Sequence, residues 1–438
     1  MWSHPHRKTD DPQGLLMGTP RILEPTQESH HDPWPLQRAA IQDALSRLGR
    51  DPAHRERFAP WMNLALHTPA DLAQLPFTTR AHLQVDPPLS DHGVPKSDIV
   101  RVHASSGTTG NRTISGYTAA DLNLWTRMVA RGLAALGVDR ESVVYSTLAH
   151  GLFTGGFGFH QAATMLGATV IPGGQARSAT HVDLIRRLQP TVLFSTPSYA
   201  LHLADRFSPL PPVTLGVFGA EPWSEADRKR LEALWGMRAH DTYGLSEVIG
   251  PGVAFECPYG QGMHINSDHF IPEIIDESGT PLPAGTWGEL VLTAPTRHAR
   301  PLIRYRTGDR TRLDFSPCPC GRTLPRMARI RDRVDNMKVV RGVNVRPTDV
   351  AEALAAHPAE FGSWLLEVTR PGALDVLTLV AECEESGRPE LARDLQKAVR
   401  AALGLTVQVR LETLGTLPHT GGKTHRWKDL RLTKPHRT

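Results

Sequence analysis

From about residue 98 the apolar and polar positions of this chain fall into a rhythm. β-Rich apolar runs, "DIVRVHA", "SVVYSTL", "ATVIP", "TVLFS" and "VTLGVFG", alternate with stretches of helical period such as "AADLNLWTRMVARGLAAL" and "SEADRKRLEALW". Alternating strand and helix predicts a largely parallel sheet with helices on both faces, an α/β fold. Ahead of this rhythm, positions 34 to 83 read as short helices broken by proline. From about 264 to 315 the helical period fades, and "GELVLTAP" and "HARPLIRYRTGDRTRL" predict a β-rich part. The tail from about 339 reads strand, helix "RPTDVAEALAAH", strand "SWLLEVTR", strand "LDVLTLVAEC", helix "PELARDLQKAVRAAL", strand "TVQVRLE". That order suits a small α+β domain of ferredoxin-like type. The polar run "RIRDRVDNMK" at the junction is a candidate hinge. The expected organisation is a leader, disordered or loosely packed, over 1–33, a large domain over 34–331, a hinge over 332–336 and a small domain over 337–438.

Composition narrows the class without naming a chemistry. The chain has 438 residues, too many for one ordinary domain, and is 40% hydrophobic and 21% charged, as soluble proteins are. Lys plus Arg is 49 against 45 Asp plus Glu, and a formal charge of +4 spread over this length argues against nucleic-acid or membrane binding. No run approaches the apolar length of a membrane span, and "MWSHPHRKTDDPQG" lacks the apolar core of a signal peptide, so the expected location is the cytoplasm. Four cysteines, Cys257, Cys318, Cys320 and Cys383, are too few for a secreted disulfide scaffold.

Residues 103 to 116, "HASSGTTGNRTISG", pack glycines and small hydroxyls between two β-branched runs. Backbone N–H groups of such a turn can bind phosphate oxygens, and Ser105, Ser106, Thr108 and Thr109 add hydroxyl donors. The lysine of the Walker pattern is missing. Either this is a glycine-rich surface turn, or it holds phosphate and the positive charge comes from elsewhere. Further along stand "GAEPW" at 219, "YGLSE" at 243, "YRTGD" at 305, "GVNVRP" at 342 and "GGKTHR" at 421. With "SSGTTG" they occur in the order shown by the adenylate-forming enzymes, the superfamily of acyl-CoA synthetases and adenylation domains. Longer stretches, among them "HGLFTGGFGFH", "PTVLFSTPSY", "YGLSEVIGPGVAFEC", "CPCGRTLPRMARI" and "MKVVRGVNVRP", resemble the phenylacetate–CoA ligase family. The resemblance runs from "PFTTRAHL" at 76 to "GGKTHR".

The resemblance implies a large adenylate-forming domain, a small C-terminal one, and a reaction in two steps. A carboxylate attacks the α-phosphate of ATP to give acyl-AMP and pyrophosphate; the thiol of CoA then displaces AMP. It assigns the "SSGTTG" loop, including Gly107 and Gly110, to the β- and γ-phosphates, and Glu247 to Mg²⁺, a hard cation that prefers oxygen. It assigns Asp309 to the ribose hydroxyls, Ala220, Glu221 and Pro222 to the adenine, and Tyr243 to stacking on it. Asp241, Gly244 and Arg333 complete the nucleotide set. Lys423 would reach the forming acyl–phosphate bond and neutralise charge there, and Asp335 would be the hinge aspartate. The family's Lys-Pro after "GTTG" is Asn111-Arg112 here, so Arg112 is a candidate to restore the charge.

For the acid, the resemblance implies an aryl pocket with Phe153 as a wall, room at Gly155 and Gly156, and His150 and Pro251 nearby. His150 and Gln161 stand where the family usually has Tyr, which makes phenylacetate or a hydroxylated aryl acid the expected substrate; the plainer reading of His150 is a satisfied structural histidine. Cys257, His264, Cys318 and Cys320 have the right count for a closed structural Zn²⁺ site, although their spacing is not that of a zinc finger. A homodimer stays open. So do three other readings: transfer of the acyl group to a carrier protein or an amine, adenylylation of a deazaflavin coenzyme, and a catalytically dead acyl-binding protein.

Overall fold

The computed structural model describes residues 33–105, 112–211, 213–334, 337–357, 359, 361–371, 374–384, 389–417 and 426–431. Helix α1 (Trp34–Arg50) opens them, entered through a proline, followed by the single turn α2 (Arg55–Phe58). Ile41, Leu45 and Leu48 of α1 pack with Phe58, Leu72 and Ile303 in a core of their own. Strands β1 (Arg101–Ala104) and β2 (Ile114–Tyr117) then form an antiparallel hairpin, one on either side of the glycine-rich loop.

Next come α3 (Ala119–Ala135), β3 (Val143–Ser146), α4 (Thr154–Met165), β4 (Thr169–Pro172), α5 (Ser178–Leu188), β5 (Val192–Ser195), α6 (Pro197–Phe207), β6 (Leu215–Phe218), α7 (Glu225–Trp235) and β7 (Arg238–Leu245). This is the predicted strand–helix rhythm, and β3 to β7 are parallel. Successive strand residues point to opposite faces, and both faces are covered. Val144, Phe194 and Val217 join the core beneath α3 and α4, while their neighbours Tyr145, Leu193 and Phe218 join the core beneath α5 to α7. Beyond β7 the sheet turns antiparallel through β8 (Gly250–Glu256) and β9 (Met263–Ile265).

Strands β10 (Ile271–Ile275), β11 (Gly288–Ala294) and β12 (Leu302–Thr311) form a second, antiparallel sheet. The short strands β13 (Leu313–Asp314) and β14 (Arg326–Met327) return to β9 and complete a sheet of nine, while β15 (Asp332–Arg333) pairs with β12. The small domain begins with the hairpin β16 (Lys338–Val340) and β17 (Val343–Val345), then α8 (Pro347–Ala355), β18 (Trp364–Thr369), β19 (Val376–Glu382), α9 (Pro389–Leu403), β20 (Gln408–Glu412) and β21 (Trp427–Asp429). Its sheet runs β20-β19-β18-β21, with an antiparallel central hairpin and parallel edges. Leu366, Val368, Leu379, Leu395 and Val399 build its separate core.

Two expectations need correcting. "DIVRVHA" looks like the first strand of the parallel sheet, but among the described residues β1 pairs with β2 alone, as a two-stranded antiparallel sheet. The run "RIRDRVDNMK" is not all linker: Asp332 and Arg333 are hydrogen-bonded into the sheet of β12. Asp335 lies outside the described residues, as do Ser106 to Gly110, Asn111, Lys423 and the leader up to residue 32. Among the described residues no helix is long and apolar enough to cross a membrane.

Candidate active site

A cleft of about 2480 Å³ opens where the C-terminal ends of β6 and β7 meet β12, the turn after β7, and the small domain. The C-terminal edge of parallel strands is where open α/β sheets place their ligands. Ser105, Phe153, Gly155, Ala220, Glu221, Pro222, Asp241, Tyr243, Gly244, Glu247, Pro251, Asp309 and Arg333 all line it.

Asp309, Tyr243 and Arg333 are joined. The Tyr243 hydroxyl donates to Asp309 Oδ2 at 2.7 Å, the Arg333 guanidinium donates to Oδ1, and Arg333 also donates to the Thr307 carbonyl at 3.1 Å. Burial and the Asp309 charge hold the Tyr243 phenol well above its usual range, so it stays a donor. β15 pairs Arg333 directly with Asp309, which explains why a residue from the junction run belongs in this set. Gly244 has a steric reason: a Cβ there would sit 1.9 Å from the Gly250 carbonyl oxygen, at the bulge between β7 and β8.

The loop after β6 is strained and clamped. Ala220 has φ 72°, a left-handed conformation costing an alanine about 1–2 kcal/mol. It persists because β6 fixes one end and the Ser224–Asp227 capping box of α7 the other. Glu221 accepts from the Ser198 backbone N–H at 2.7 Å through Oε1, while its buried Oε2 has no partner, and burial raises its carboxyl. Behind the loop lies a charge network absent from the motifs. Arg228 donates to both oxygens of buried Glu256 at 2.8 and 2.6 Å. Trp223 is flanked by the Arg228 and Arg329 guanidinium groups, 5.0 and 4.8 Å from its ring centre. Burial, then the neighbouring Glu256 carboxylate, pushes Asp241 up to about 8.

Two buried arginines brace the side of the cleft beside the glycine-rich loop. Arg297 donates to the carbonyls of Gly116 at 2.8 Å and Val248 at 2.9 Å. Arg300 pairs with Asp91 at 2.7 Å and donates to Ser115 Oγ at 3.1 Å. The turn that carries Glu247 is thereby tied to β2, the strand leaving the glycine-rich loop. Among the described residues the Glu247 carboxylate has no ion-pair partner, which suits a residue left to meet a cation.

Where the acid pocket is expected, the wall is Leu148, Phe153, Thr154, Phe159, Ser195 and Pro251. The space at Gly155 is already taken, since a Cβ there would lie 2.4 Å from the Phe153 ring, and at Gly156 it would meet the Ala149 carbonyl at 2.3 Å. These glycines let the chain fold on itself rather than leave room for a ligand. His150 is not on the cleft wall. It packs edge-on against Phe157 and His160, with its buried Nε2 unpartnered, so it is not a satisfied histidine either. Gln161 accepts from Arg101 at 3.0 Å.

Away from the cleft, Cys257, His264, Cys318 and Cys320 place their ligand atoms within 4.8 Å of one another. Cys257 and Cys318 sulfurs are 3.7 Å apart, and Cys320 Sγ is 3.4 Å from His264 Nε2. The edge of a tetrahedron of thiolates around zinc is about 3.75 Å for bonds of about 2.3 Å. His264 Nδ1 lies 3.1 Å from the Leu324 carbonyl, so it carries the hydrogen and leaves the Nε2 lone pair toward Cys320. Burial lowers this imidazole to about 4, which keeps it neutral. Cys383 is buried at the small-domain side of the cleft and is not part of this cluster.

Comparison with known proteins adds to this geometry. Residues 52–297 match the model of the AMP-binding enzymes, and residues 342–431 match that of the AMP-binding enzyme C-terminal domain. A phenylacetate-coenzyme A ligase of Thermus thermophilus is 41% identical over 389 residues, 82% of this chain and 87% of that protein. The chain belongs to the phenylacetate–coenzyme A ligase family of AMP-binding enzymes. A solved 2-hydroxyisobutyryl-CoA ligase in its postadenylation state, with 2-HIB-AMP, has a TM-score of 0.83 at 25% identity, covering 96% of this chain and 95% of that one. The same ligase in its thioesterification state, with 2-HIB-AMP and CoA, has 0.67 at 25%, covering 98% and 96%.

Within this family frame, the sequence motifs name one wall of the cleft well and its supports poorly. Arg228, Glu256, Arg329, Arg297 and Arg300 carry no motif signal, because the partners that fix them in place are distant in sequence. Arg80 also lines the cleft; its one signal is its place in "PFTTRAHL", where the family resemblance begins.

Proposed function

We propose that this chain activates an aryl carboxylic acid of the phenylacetate type with ATP, forming acyl-AMP and pyrophosphate, and then passes the acyl group to the thiol of CoA with release of AMP. The observation that carries this reading is the joined set Tyr243–Asp309–Arg333, facing the unpaired carboxylate of Glu247 in one cleft. Asp309, fixed by two donors, accepts the ribose hydroxyls with its remaining lone pairs. Tyr243 and the strained Ala220–Glu221–Pro222 loop enclose the adenine, with Asp241 and Gly244 behind. Ser105 through Gly110 hold the β- and γ-phosphates. Glu247 is the residue to hold Mg²⁺, which when bound neutralises phosphate charge.

Phe153 and Pro251 shape the acid end. Its apolar wall fits an aryl ring, and His150, behind Phe157, is left as a neighbour of the pocket rather than a contact. Lys423 acts at the acyl–phosphate bond; Arg426, just beyond it, lines the cleft. We take the expected hinge 332–336 as narrowed to its end: 34–333, with Asp332 and Arg333 held in the β12 sheet, and 337–438 are two bodies that turn about 334–336, with Asp335 at the pivot. The higher TM-score to the postadenylation state supports an arrangement suited to the first half-reaction. The Cys₃His cluster is the residue set for a structural Zn²⁺, and its closely spaced free thiols suit a reducing cytoplasm.

A panel of carboxylic acids in an ATP–pyrophosphate exchange assay tests this reading. Aryl acids should stimulate exchange, phenylacetate foremost. Stimulation by aliphatic or amino acids alone would overturn it. Adding CoA, a carrier protein or an amine to the reaction then identifies the acceptor.

A further inference from the structure

The glycine-rich loop has no lysine, and the candidate replacement Arg112 is exposed and does not line the cleft. The charge has to come from another place. Most arginines on the cleft wall are committed: Arg230 to Asp205, Arg306 to Glu289, Arg329 to Glu225, Arg331 to Glu352 and Arg333 to Asp309. Arg426 lies on the Trp364 ring and donates to the Trp364 carbonyl. Arg80 is different. Among the described residues no carboxylate pairs with it, its buried Nε has no hydrogen-bond partner, and its one side-chain hydrogen bond is a long one, 3.4 Å from the guanidinium to Ser105 Oγ. Ser105 is the first residue of the glycine-rich loop, and its Oγ accepts the Thr113 N–H across the loop's base at 3.0 Å.

The backbone under Arg80 is fixed. Thr78 bridges to Tyr305 of β12, with Thr78 N–H donating to the Arg304 carbonyl at 3.0 Å and Arg306 N–H donating to Thr78 at 2.8 Å. Thr78 Oγ1 donates to the Ile303 carbonyl at 2.6 Å. Thr79 and His82 then cap the one-turn helix that starts at Arg80. Arg80 and Glu247 both act on the Tyr305 hydroxyl, yet they do not pair with each other. An unpaired cation and an unpaired carboxylate thus stand apart around the mouth of the loop. A polyphosphate carrying a divalent cation fills that arrangement: the anion meets Arg80, the cation meets Glu247.

Resting on the function proposed above, we propose that Arg80 binds the terminal phosphates of ATP and holds the pyrophosphate as it leaves. In that step the acid's carboxylate oxygen bonds to the α-phosphorus while the bond from that phosphorus to the bridging oxygen breaks, and the electron pair departs with pyrophosphate. A guanidinium carried on a fixed backbone beside the loop stabilises the charge that builds on the departing pyrophosphate. AMP lacks the terminal phosphates, so Arg80 has nothing to hold in its complex.

The test titrates the whole protein with ATP, with AMP and with inorganic pyrophosphate, for wild type and for Arg80→Ala, Arg80→Lys and Arg112→Ala. Arg80→Ala should weaken ATP and pyrophosphate by about ten- to hundredfold, the scale of a hydrogen bond to a charged group. AMP affinity should not change, Arg80→Lys should recover part of the loss, and Arg112→Ala should bind as wild type does. Equal loss for ATP and AMP would mean that Arg80 only supports the fold; undiminished ATP binding in Arg80→Ala, or the loss appearing in Arg112→Ala, would also overturn the proposal. Binding needs no acid, so the result stands apart from the exchange assay: silence with every aryl acid beside Arg80-dependent ATP binding would sink the substrate reading and leave this one intact.

Discussion

The cleft and the Cys₃His cluster both gather chemically capable side chains from distant parts of the chain, and they gather them in opposite ways. In the cluster four donors face one another within 4.8 Å, and the imidazole among them is fully buried. Such a set can satisfy a metal completely and has no position left for a substrate. In the cleft the charged groups line an opening of about 2480 Å³, and two that lack an ion-pair partner among the described residues, Glu247 and Arg80, sit at the end assigned to phosphate. Closed coordination stabilises a fold; incomplete pairing around a space binds what completes it. The rule that follows is simple: changes in the cleft should cost rate or affinity, and changes in the cluster should cost stability.

The largest effect expected under that rule is on rate. Lys423→Ala should lower acyl-AMP formation by about a hundredfold to a thousandfold, as removal of one preorganised electrostatic donor does. Thioester formation from preformed aryl-adenylate should proceed at near the wild-type rate, with an unchanged melting temperature. Single-turnover assays of each half-reaction read this; equal loss in both would make the lysine structural. Next, Cys318→Ser should remove the metal and lower the melting temperature by on the order of 10 °C, because structural metal binding is folding free energy. Its kcat at a permissive temperature should be kept. Elemental analysis and calorimetry check both parts, and a variant that melts normally but turns over slowly would break the comparison.

A smaller effect is expected at Asp309, the residue proposed to accept the ribose hydroxyls. Asp309→Asn keeps the shape but loses the charge that Arg333 and the nucleotide share, so KM for ATP should rise by about tenfold or more. The last is a pH effect. Asp241 is raised in the folded state to about 8 from an unfolded value of about 3.9. Between those values the folded chain holds a proton that the unfolded chain has lost. The associated stability is present below about pH 4 and disappears as pH rises through about 8. Asp241→Asn cannot ionise, so its melting temperature should decline less than that of wild type between those limits.

How much of this was legible in the sequence differs by element. The strands β3, β5 and β6 and the helices around them announce themselves because both faces of the sheet are buried there, so their apolar runs are unbroken. β7 does not: "RAHDTYGL" is polar because it carries Asp241 and Tyr243 to the cleft, and a strand that serves a site loses its apolar signature. The motif residues were legible as a set and not singly, since Glu247, Asp309 or Lys423 alone reads as an ordinary surface charge. The supports were not legible at all. Arg300 finds Asp91, Arg131 finds Asp268 and Arg297 reaches Gly116 across separations that no local pattern records. The glycines misled at the acid end: Gly155 reads as space for a ligand, and the folded chain fills it with Phe153.

The central claim is that the acid's own oxygen attacks the α-phosphate and later leaves with AMP. Phenylacetate labelled with ¹⁸O in both carboxylate oxygens, incubated with ATP, Mg²⁺, CoA and the protein, tests it by mass spectrometry of the nucleotide. The account predicts AMP with one ¹⁸O on its phosphate, unlabelled pyrophosphate, and phenylacetyl-CoA keeping the other ¹⁸O. Label in inorganic phosphate with ADP as the nucleotide product, or thioester formed beside unlabelled AMP, would contradict it.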